Sequence, residues 1–303
     1  MRYIAKRLLH GLLLLVAVSL ISFALANLAP GDYFSALRAE SQYSEQTIEG
    51  LRARTGLDRP FPVRYAAWAG SMLRGDFGYS LAYNGPVAPL VRERFGNTLL
   101  LTGSATFLAW LLALPLGIWT ASARGRWPDR LWKLVLACLL AIPELLLAIL
   151  LLTFAATTGW FPVGGKHLAL PIVVLVAGML PVLARHVRAA VVELMDAPFA
   201  VAARAQGIPR RRWLTRHVLP AAMNPLISLL GLSLGGLLSA SLLVEVVMGW
   251  PGLGPLFLDA IMNRDLAIVL AVVMLAAAFL LAGNLVADLL LYRFDPRIRA
   301  GKS

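Results

Sequence analysis

The sequence is poor in charge, in histidine and in cysteine. Charged residues make up 15% of the 303 residues and hydrophobic residues 59%, whereas soluble domains carry about a quarter of their residues charged. The single cysteine, Cys138, excludes an intrachain disulfide. No two histidines have the spacing of metal ligands, which predicts no metal site and no cofactor. The excess of apolar residues requires an apolar solvent.

Six apolar stretches are long enough to cross a bilayer, since a spanning helix needs about 20 mostly apolar residues. The third and fifth stretches are long enough to tilt or bend. The sequence therefore predicts an all-α integral membrane protein with six transmembrane helices. The stretches are Leu8–Ala29, Leu99–Ser122, Leu131–Thr158, Leu168–Ala184, Ala221–Met248 and Leu266–Tyr292.

A polar region separates the first two stretches. Ile48 and Leu51 indicate one short helix there, and a second with one apolar face is indicated by Tyr65, Trp68, Met72 and Leu73. Ala24-Leu25-Ala26 resembles a signal-peptidase site, but the apolar core before it is longer than a usual signal peptide and favours a retained helix. The predicted organisation is a first transmembrane helix (1–30), an external loop region (31–96), a five-helix core (97–292) and a cytoplasmic tail (293–303).

The distribution of basic residues predicts the orientation. Most of the 28 Lys and Arg residues lie in the N-terminal segment, in the second and fourth connections and in the C-terminal tail. The short third and fifth connections hold only Lys166 and Arg264. Because cytoplasmic connections carry the excess of Lys and Arg, both termini are predicted to be cytoplasmic. Topology thus accounts for the net charge of +12, and a nucleic-acid partner is not expected.

The segment Asp196–Gly207 predicts a short helix in the fourth connection. Asp196 is a suitable N-cap, Pro198 fits a first helical turn, Gly207 suits the C-terminal end, and Pro209 prevents continuation. Its side chains are small, with Ala200, Ala203 and Gly207 on one face. Such a face could enter a groove on a partner closely. An ordinary amphipathic connector would have the same pattern, so the residues alone leave both interpretations open.

The run V-A-A-R-A-Q-G at Val201–Gly207, followed by H-V-L-P ending at Pro220, resembles the EAA loop of ABC-importer permeases. Val201 stands where that motif has Glu, an exchange that is common in peptide-type permeases. By this resemblance the coupling loop (residues 187–220) fits a cleft on a separate ATPase subunit. The residues assigned to coupling are Asp196, Phe199, Ala200, Ala202, Ala203, Arg204, Ala205, Gly207, Leu219 and Pro220.

Further motifs resemble the dipeptide/oligopeptide (peptide/nickel) permease family, in the subunit type with a long first external loop. Their order and separations cover nearly the whole chain. They are N-L-A-P-G-D from Asn27, G-L-D-R-P-F-P-V-R-Y from Gly56, L-R-G-D-F-G-Y-S from Leu73, V-E-V-V-M-G-W-P-G-L-G from Val244 and D-P-R-I-R from Asp295.

The resemblance implies a type I ABC importer permease fold in the bacterial cytoplasmic (inner) membrane. Its implied partners are ABC ATPase subunits, a second permease subunit that is expected to be non-identical, a solute-binding protein and membrane lipid. The implied substrate is a di- or oligopeptide, although relatives carry nickel complexes, glutathione or peptide-like antibiotics. The external loop region would help to receive the binding protein or would simply cover helix ends.

Polar residues within the apolar stretches are candidates for the translocation path, because ionisable groups at bilayer depth are costly. Glu144 follows Pro143, where the family more often has a neutral residue. It could meet an ammonium group of the solute, pair with an arginine or occupy a helix kink. Gly231 and Gly235 indicate close helix packing.

The Gly/Pro-rich turn after the fifth stretch cannot be regular helix. We expect either a gate beside the path or a rigid external turn in which Glu245 caps a neighbouring helix. The candidate residues of this gate are Glu245, Trp250, Pro251, Gly252 and Gly254.

Catalytic motifs are absent from the sequence. It has no Ser-His-Asp arrangement and no HExxH, and Pro296 stands where a phosphate-binding loop ending at Gly301-Lys302-Ser303 would need glycine. The sequence therefore predicts a permease and no enzyme. A secondary transporter with Glu144 or Asp288 as its coupling group and a membrane enzyme are the competing hypotheses.

Overall fold

The structure is a computed structural model that describes residues 2–28, 59–162 and 167–294. Apart from one two-stranded hairpin, the regular elements in these ranges are helical. In chain order the elements are α1 (Arg2–Leu28), α2 (Phe61–Leu73), β1 (Tyr79–Ser80), β2 (Gly85–Pro86), α3 (Val87–Ser122), α4 (Trp127–Ala141), α5 (Glu144–Thr158), α6 (Ala169–Met195), α7 (Pro198–Ala205), α8 (Arg210–Trp213), a π-helical turn (Leu214–Val218), α9 (Leu219–Met248), α10 (Leu253–Met262) and α11 (Leu266–Phe294).

The helices confirm an all-α membrane protein. In the described ranges, five helices are long and apolar enough to cross a membrane, within α1, α3, α6, the segment Arg210–Leu234 and α11. Two broken pairs also pass this test, Trp127–Ala141 with Glu144–Thr158 and Ser241–Met248 with Leu253–Met262. The described residues thus hold five spans, or up to seven if each broken pair is one span, a range that includes the six predicted.

The third predicted span is sharply broken. Helices α4 and α5 meet at an angle of 91°. Ile142 has extended φ and ψ angles of −85° and 119°, because the ring of the following Pro143 disfavours helical geometry in the preceding residue. Pro143 also cannot donate a backbone hydrogen bond. The break therefore falls at Pro143.

The chain divides into two compact units. The first comprises Met1–Thr98 and Pro251–Phe279, and the second comprises Leu99–Trp250 and Leu280–Ser303.

In the first unit, α2 packs on α1 through aromatic rings. The Phe23 ring centroid lies 5.1 Å from that of Trp68 and 5.6 Å from that of Tyr65, and Ser19 Oγ lies 2.8 Å from the Tyr65 hydroxyl. The predicted apolar face of α2 is confirmed at these positions, but Leu73 is 91% exposed.

The hairpin of the first unit is held by a buried carboxylate. Asp265, which is 4% exposed, accepts a hydrogen bond of 2.6 Å from the Ser80 hydroxyl and one of 3.2 Å from the Ala82 N–H. Its other oxygen accepts from the N–H of Ile268 at 3.3 Å, which caps the start of α11. One side chain thus joins the hairpin to a helix end.

The core of the second unit contains a row of small residues from α3. Ala105, Ala109 and Ala113 recur every four residues along α3 and are fully buried. Leu183 of α6 and Val244 of α9 belong to the same cluster. Helices in lipid gain no hydrophobic driving force from association, so small side chains that admit close backbone packing stabilise the bundle.

The closest such contact involves the predicted packing glycine Gly231 of α9. A Cβ at this position would lie 2.2 Å from the Ala287 Cβ of α11, which is far inside van der Waals contact. The prediction of close packing at Gly231 is therefore confirmed.

Several sequence predictions lie outside the described residues. They are the helix at Ile48 and Leu51, most of the motif from Asn27, the motif from Asp295 and the tail segment Gly301-Lys302-Ser303. The boundaries of the four predicted regions stay predictions.

We expect Gly231→Val to lower the free energy of unfolding by about 1–3 kcal/mol, because the added side chain has no room beside Ala287. The matched control is Gly236→Val in the same helix, where a Cβ would meet nothing within 4 Å. Denaturant titration of the purified variants measures both. Equal destabilisation by the two changes would contradict this packing.

Candidate functional site

Helix α7 forms where the sequence predicts a short helix, but its N-cap differs. The N-cap is Ala197, in extended conformation, and Pro198 occupies the first turn. The prediction of Asp196 as N-cap was wrong: Asp196 ends α6, and its carboxylate accepts a 2.6 Å bond from Arg124. At the other end Gly207 has φ of +76°, the left-handed conformation that glycine adopts most easily. Its predicted place at the helix end is confirmed.

The small face of α7 is buried within the chain. Ala200 is 0% and Ala203 is 7% exposed, and both pack in a cluster with Val191, Trp213 and Val218. The Trp213 indole N–H donates a 2.7 Å hydrogen bond to the Ala200 carbonyl oxygen. The expectation that Ala200 and Ala203 enter a partner's groove was therefore wrong, because their side chains already fill an internal contact.

The opposite face of α7 is exposed. Phe199 is 45% and Val201 53% exposed, and Ala202, Arg204 and Ala205 are also exposed. Small and apolar side chains therefore dominate the surface that α7 presents. This surface, which we call the outer face, consists of Phe199, Val201, Ala202, Arg204 and Ala205.

Polar contacts anchor both sides of α7. The Arg124–Asp196 pair precedes it, and after it the Arg210 guanidinium donates to the Ser122 carbonyl oxygen. Leu219 is half-buried against the cluster around Trp213, whereas Pro220 is exposed in the first turn of α9. The structure thus brings most of the predicted coupling residues into one assembly.

A buried carboxylate that the sequence interpretation missed lies beside this assembly. Asp129 of α4 is 1% exposed and accepts bonds of 2.8 and 3.1 Å from the Arg188 guanidinium of α6. It also accepts from Lys133 Nζ at 3.0 Å and from the Gly125 N–H at 3.1 Å. The available signal was an isolated acid within a run of basic residues.

Glu144 lies at the break between α4 and α5, half-buried against α6. A Cβ on Gly178 would lie 3.4 Å from its Cδ atom and 3.5 Å from Oε1. Within the described part of the chain, no hydrogen bond or ion pair reaches this carboxylate. A place in a helix kink is confirmed, and pairing with a described arginine is not observed.

The candidate gate residues of the second unit are buried. Glu245 is 0% and Trp250 3% exposed. The Ser241 hydroxyl, one turn earlier in α9, donates to Glu245 Oε1 at 3.2 Å, and the Trp250 N–H donates to the Glu245 carbonyl oxygen at 2.9 Å. Gly249 ends α9 with φ of +67°.

The gate residues of the first unit are held by side chains of α3. The Asn97 amide donates to the Pro251 carbonyl oxygen at 2.8 Å, and the Leu253 N–H donates to Thr98 Oγ1 at 2.8 Å. Gly252 and Gly254 are buried. These contacts favour a rigid turn, and the gating role stays a prediction.

No group of three or more His, Cys, Asp or Glu is placed to hold a metal ion in the ranges that the structure covers. The site is thus a short helix with two sides. Its inner face, Ala200 and Ala203, is buried in the chain, and its outer face is exposed.

Long apolar helices, with two broken pairs among the described residues, define a multi-pass membrane protein. Two family models match the sequence. The model described as binding-protein-dependent transport system inner membrane component matches residues 113–300. The N-terminal model of the same transport systems matches residues 1–102. The chain belongs to this family of ABC-importer permeases, whose members are multi-pass inner-membrane proteins.

Curated relatives match over their whole length. The oligopeptide transport system permease protein AppB of Bacillus subtilis is 33% identical over 312 residues, which cover 98% of each chain. The glutathione transport system permease protein GsiC of Escherichia coli is 34% identical over 304 residues, which cover 99% of each chain. The chain is therefore a permease subunit, and ATP hydrolysis belongs to separate subunits. The secondary-transporter and membrane-enzyme hypotheses are set aside.

A solved structure shares the fold. A chain of the inward-facing MetNI methionine ABC transporter superimposes with a TM-score of 0.56 and 22% identity, covering 68% of this chain and 96% of that one. This likeness supports the type I importer permease fold. Permeases of such systems work with ATPase subunits and solute-binding proteins.

We expect Asp129→Asn to lower the free energy of unfolding by about 3–5 kcal/mol, because it leaves the Arg188 charge without its buried partner. The matched control is Asp196→Asn. Its ion pair joins side chains that are 52% and 65% exposed, so the expected cost is below about 1 kcal/mol. Denaturant titration measures both variants, and equal losses would contradict a special role of Asp129.

Proposed function

We propose that this permease subunit imports di- or oligopeptides, or related small solutes, by alternating access. The names of the oligopeptide and glutathione permeases to which it is similar support this class of solute. A second, non-identical permease subunit completes the path. The density of basic residues supports a cytoplasmic position for both termini and the coupling loop.

The observation that carries the coupling proposal is the burial of the inner face of α7. Ala200 and Ala203 pack so closely on Trp213 that the helix cannot shift without moving its support. That support includes Val191 at the end of α6 and Val218 at the start of α9. A push on the outer face is therefore transmitted to two membrane helices.

The outer face fits a cleft on an ATPase subunit. Its small side chains allow the α7 backbone to approach the walls of a groove closely. Phe199 supplies an exposed aromatic side chain, a residue type that often anchors protein interfaces. Closure of the ATPase subunits on ATP would then move α7 and reorient the bundle.

Glu144 is our candidate for solute contact. A carboxylate without a described partner at bilayer depth is costly unless it faces water or a cation. The ammonium group of a peptide is such a cation. Because Gly178 has no side chain, the carboxylate can lie close to α6, where a Cβ would be 3.4 Å from Glu144 Cδ.

Ala202→Glu and Ala205→Glu test the coupling. Each places a charge on the outer face, where burial in the ATPase cleft without a partner is costly. We expect ATPase association and uptake to fall at least about tenfold, with unchanged membrane insertion and thermal unfolding. Co-purification of the ATPase and uptake into proteoliposomes measure these effects.

Ala82→Glu is the matched control, because Ala82 is exposed on the predicted external side and should leave association intact. Ala203→Glu should instead destabilise the protein, since that side chain is buried. Normal uptake by both outer-face variants would contradict the coupling proposal.

Glu144→Gln tests the solute contact. Removing the negative charge should lower uptake of a peptide with a free amino terminus about tenfold, since hydrogen bonds to charged groups contribute about 1.5–3 kcal/mol. Uptake of the N-acetylated peptide should not change. Glu193→Gln, at an exposed position near the end of α6, is the control, because it should not change uptake of one peptide relative to the other. An equal loss for both peptides would refute a role in charge recognition.

A further inference from the structure

A cleft between α4 and α6 has a strongly asymmetric lining. Its volume is about 310 Å³. Leu136, Ala137 and Leu140 of α4 form one wall, and Pro181 of α6 contributes to the other. Leu140 is 47% exposed, so this part of the cleft is open to the surroundings of the bundle and apolar.

The other end of the cleft is basic, with Lys133, Arg185 and Arg188 in its lining. Lys133 lies seven residues before Leu140, which is about 10 Å along a helix. Arg185 and Arg188 lie four and seven residues after Pro181, on the same side of α6. The Asp129–Arg188 contact pairs the start of α4 with the end of α6, so the basic residues of the two helices meet at one end.

The charges at this end are not balanced. Lys133 and Arg188 share the carboxylate of Asp129. Arg185 is exposed and has no hydrogen-bond or ion-pair partner within the described residues. Three cations thus face one carboxylate, and the excess positive charge is concentrated where the apolar walls begin.

We propose that this cleft binds an anionic phospholipid, with the phosphate at Arg185 and Lys133 and an acyl chain along Leu140 and Pro181. A free anion would satisfy the cations but would leave the exposed apolar wall uncovered. A phospholipid meets both requirements, because its anionic headgroup can lie at the basic end while the attached acyl chain covers the apolar wall. Basic pockets between membrane helices at the cytoplasmic side are suited to anionic headgroups.

The position of the cleft gives the lipid a functional consequence. Asp129 and Arg188 border it, and Arg124, near the start of α4, pairs with Asp196 just before α7. A bound headgroup would neutralise the excess charge beside this assembly and hold α4 against α6. This proposal does not depend on the identity of the transported solute.

The test uses the full transporter complex and native mass spectrometry with phosphatidylglycerol as the titrated lipid. Arg185→Gln should weaken phosphatidylglycerol binding about fivefold, because one basic residue near an anionic lipid surface contributes about 1 kcal/mol. Arg126→Gln, an exposed basic residue outside the cleft, should leave it unchanged. Equal losses for the two variants would show diffuse surface charge and overturn the site.

A second pair of variants tests the acyl chain. Leu140→Trp fills the apolar part and should also weaken binding, whereas Leu134→Trp, on an exposed position outside the cleft, should not. Phosphatidylcholine and inorganic phosphate are the ligand controls. If inorganic phosphate alone displaces the lipid at equal concentration, the cleft is a free-anion site. If the complex binds no phosphatidylglycerol, another subunit covers the cleft. Either result overturns the proposal.

Discussion

The contact between the inner face of α7 and Trp213 is the interaction on which the proposed mechanism depends. Alanine at positions 200 and 203 lets the helix backbone come close enough for the indole N–H to reach the Ala200 carbonyl oxygen. A larger side chain at either position would separate the two elements and break this hydrogen bond. A short isolated helix is only marginally stable in water, so α7 takes its stability from this packing, as the proposed coupling requires.

The same use of small residues recurs through the second unit. A Cβ on Gly117 would lie 2.6 Å from the Val187 Cβ, which brings α3 against α6, and Gly231 brings α9 against α11. Tight contacts of this kind resist gradual deformation, because closely packed interiors have low compressibility. Such tight packing is what the proposed alternating access would need if the helices are to move together.

Basic residues serve more than one purpose in this chain. Those around Asp129 predict orientation, but Arg188 and Lys133 also neutralise a buried carboxylate, and Arg124 fixes the entry to α7. The cleft between α4 and α6 then leaves an excess of positive charge next to apolar walls. The predicted orientation, the packing and the proposed lipid recognition thus depend on the same few side chains.

The sequence by itself determined the membrane class and the family, because hydropathy and turn motifs are local properties of the chain. It also located α7 through Pro198, Gly207 and Pro209. Only the tertiary structure decided which face of α7 is buried, because Ala200 and Ala202 are chemically identical until Trp213 is placed beside one of them. The contacts of Asp129 with Arg188 and of Gly178 with Glu144 were likewise hidden, since each joins residues more than 30 positions apart and no local pattern records contacts at that distance.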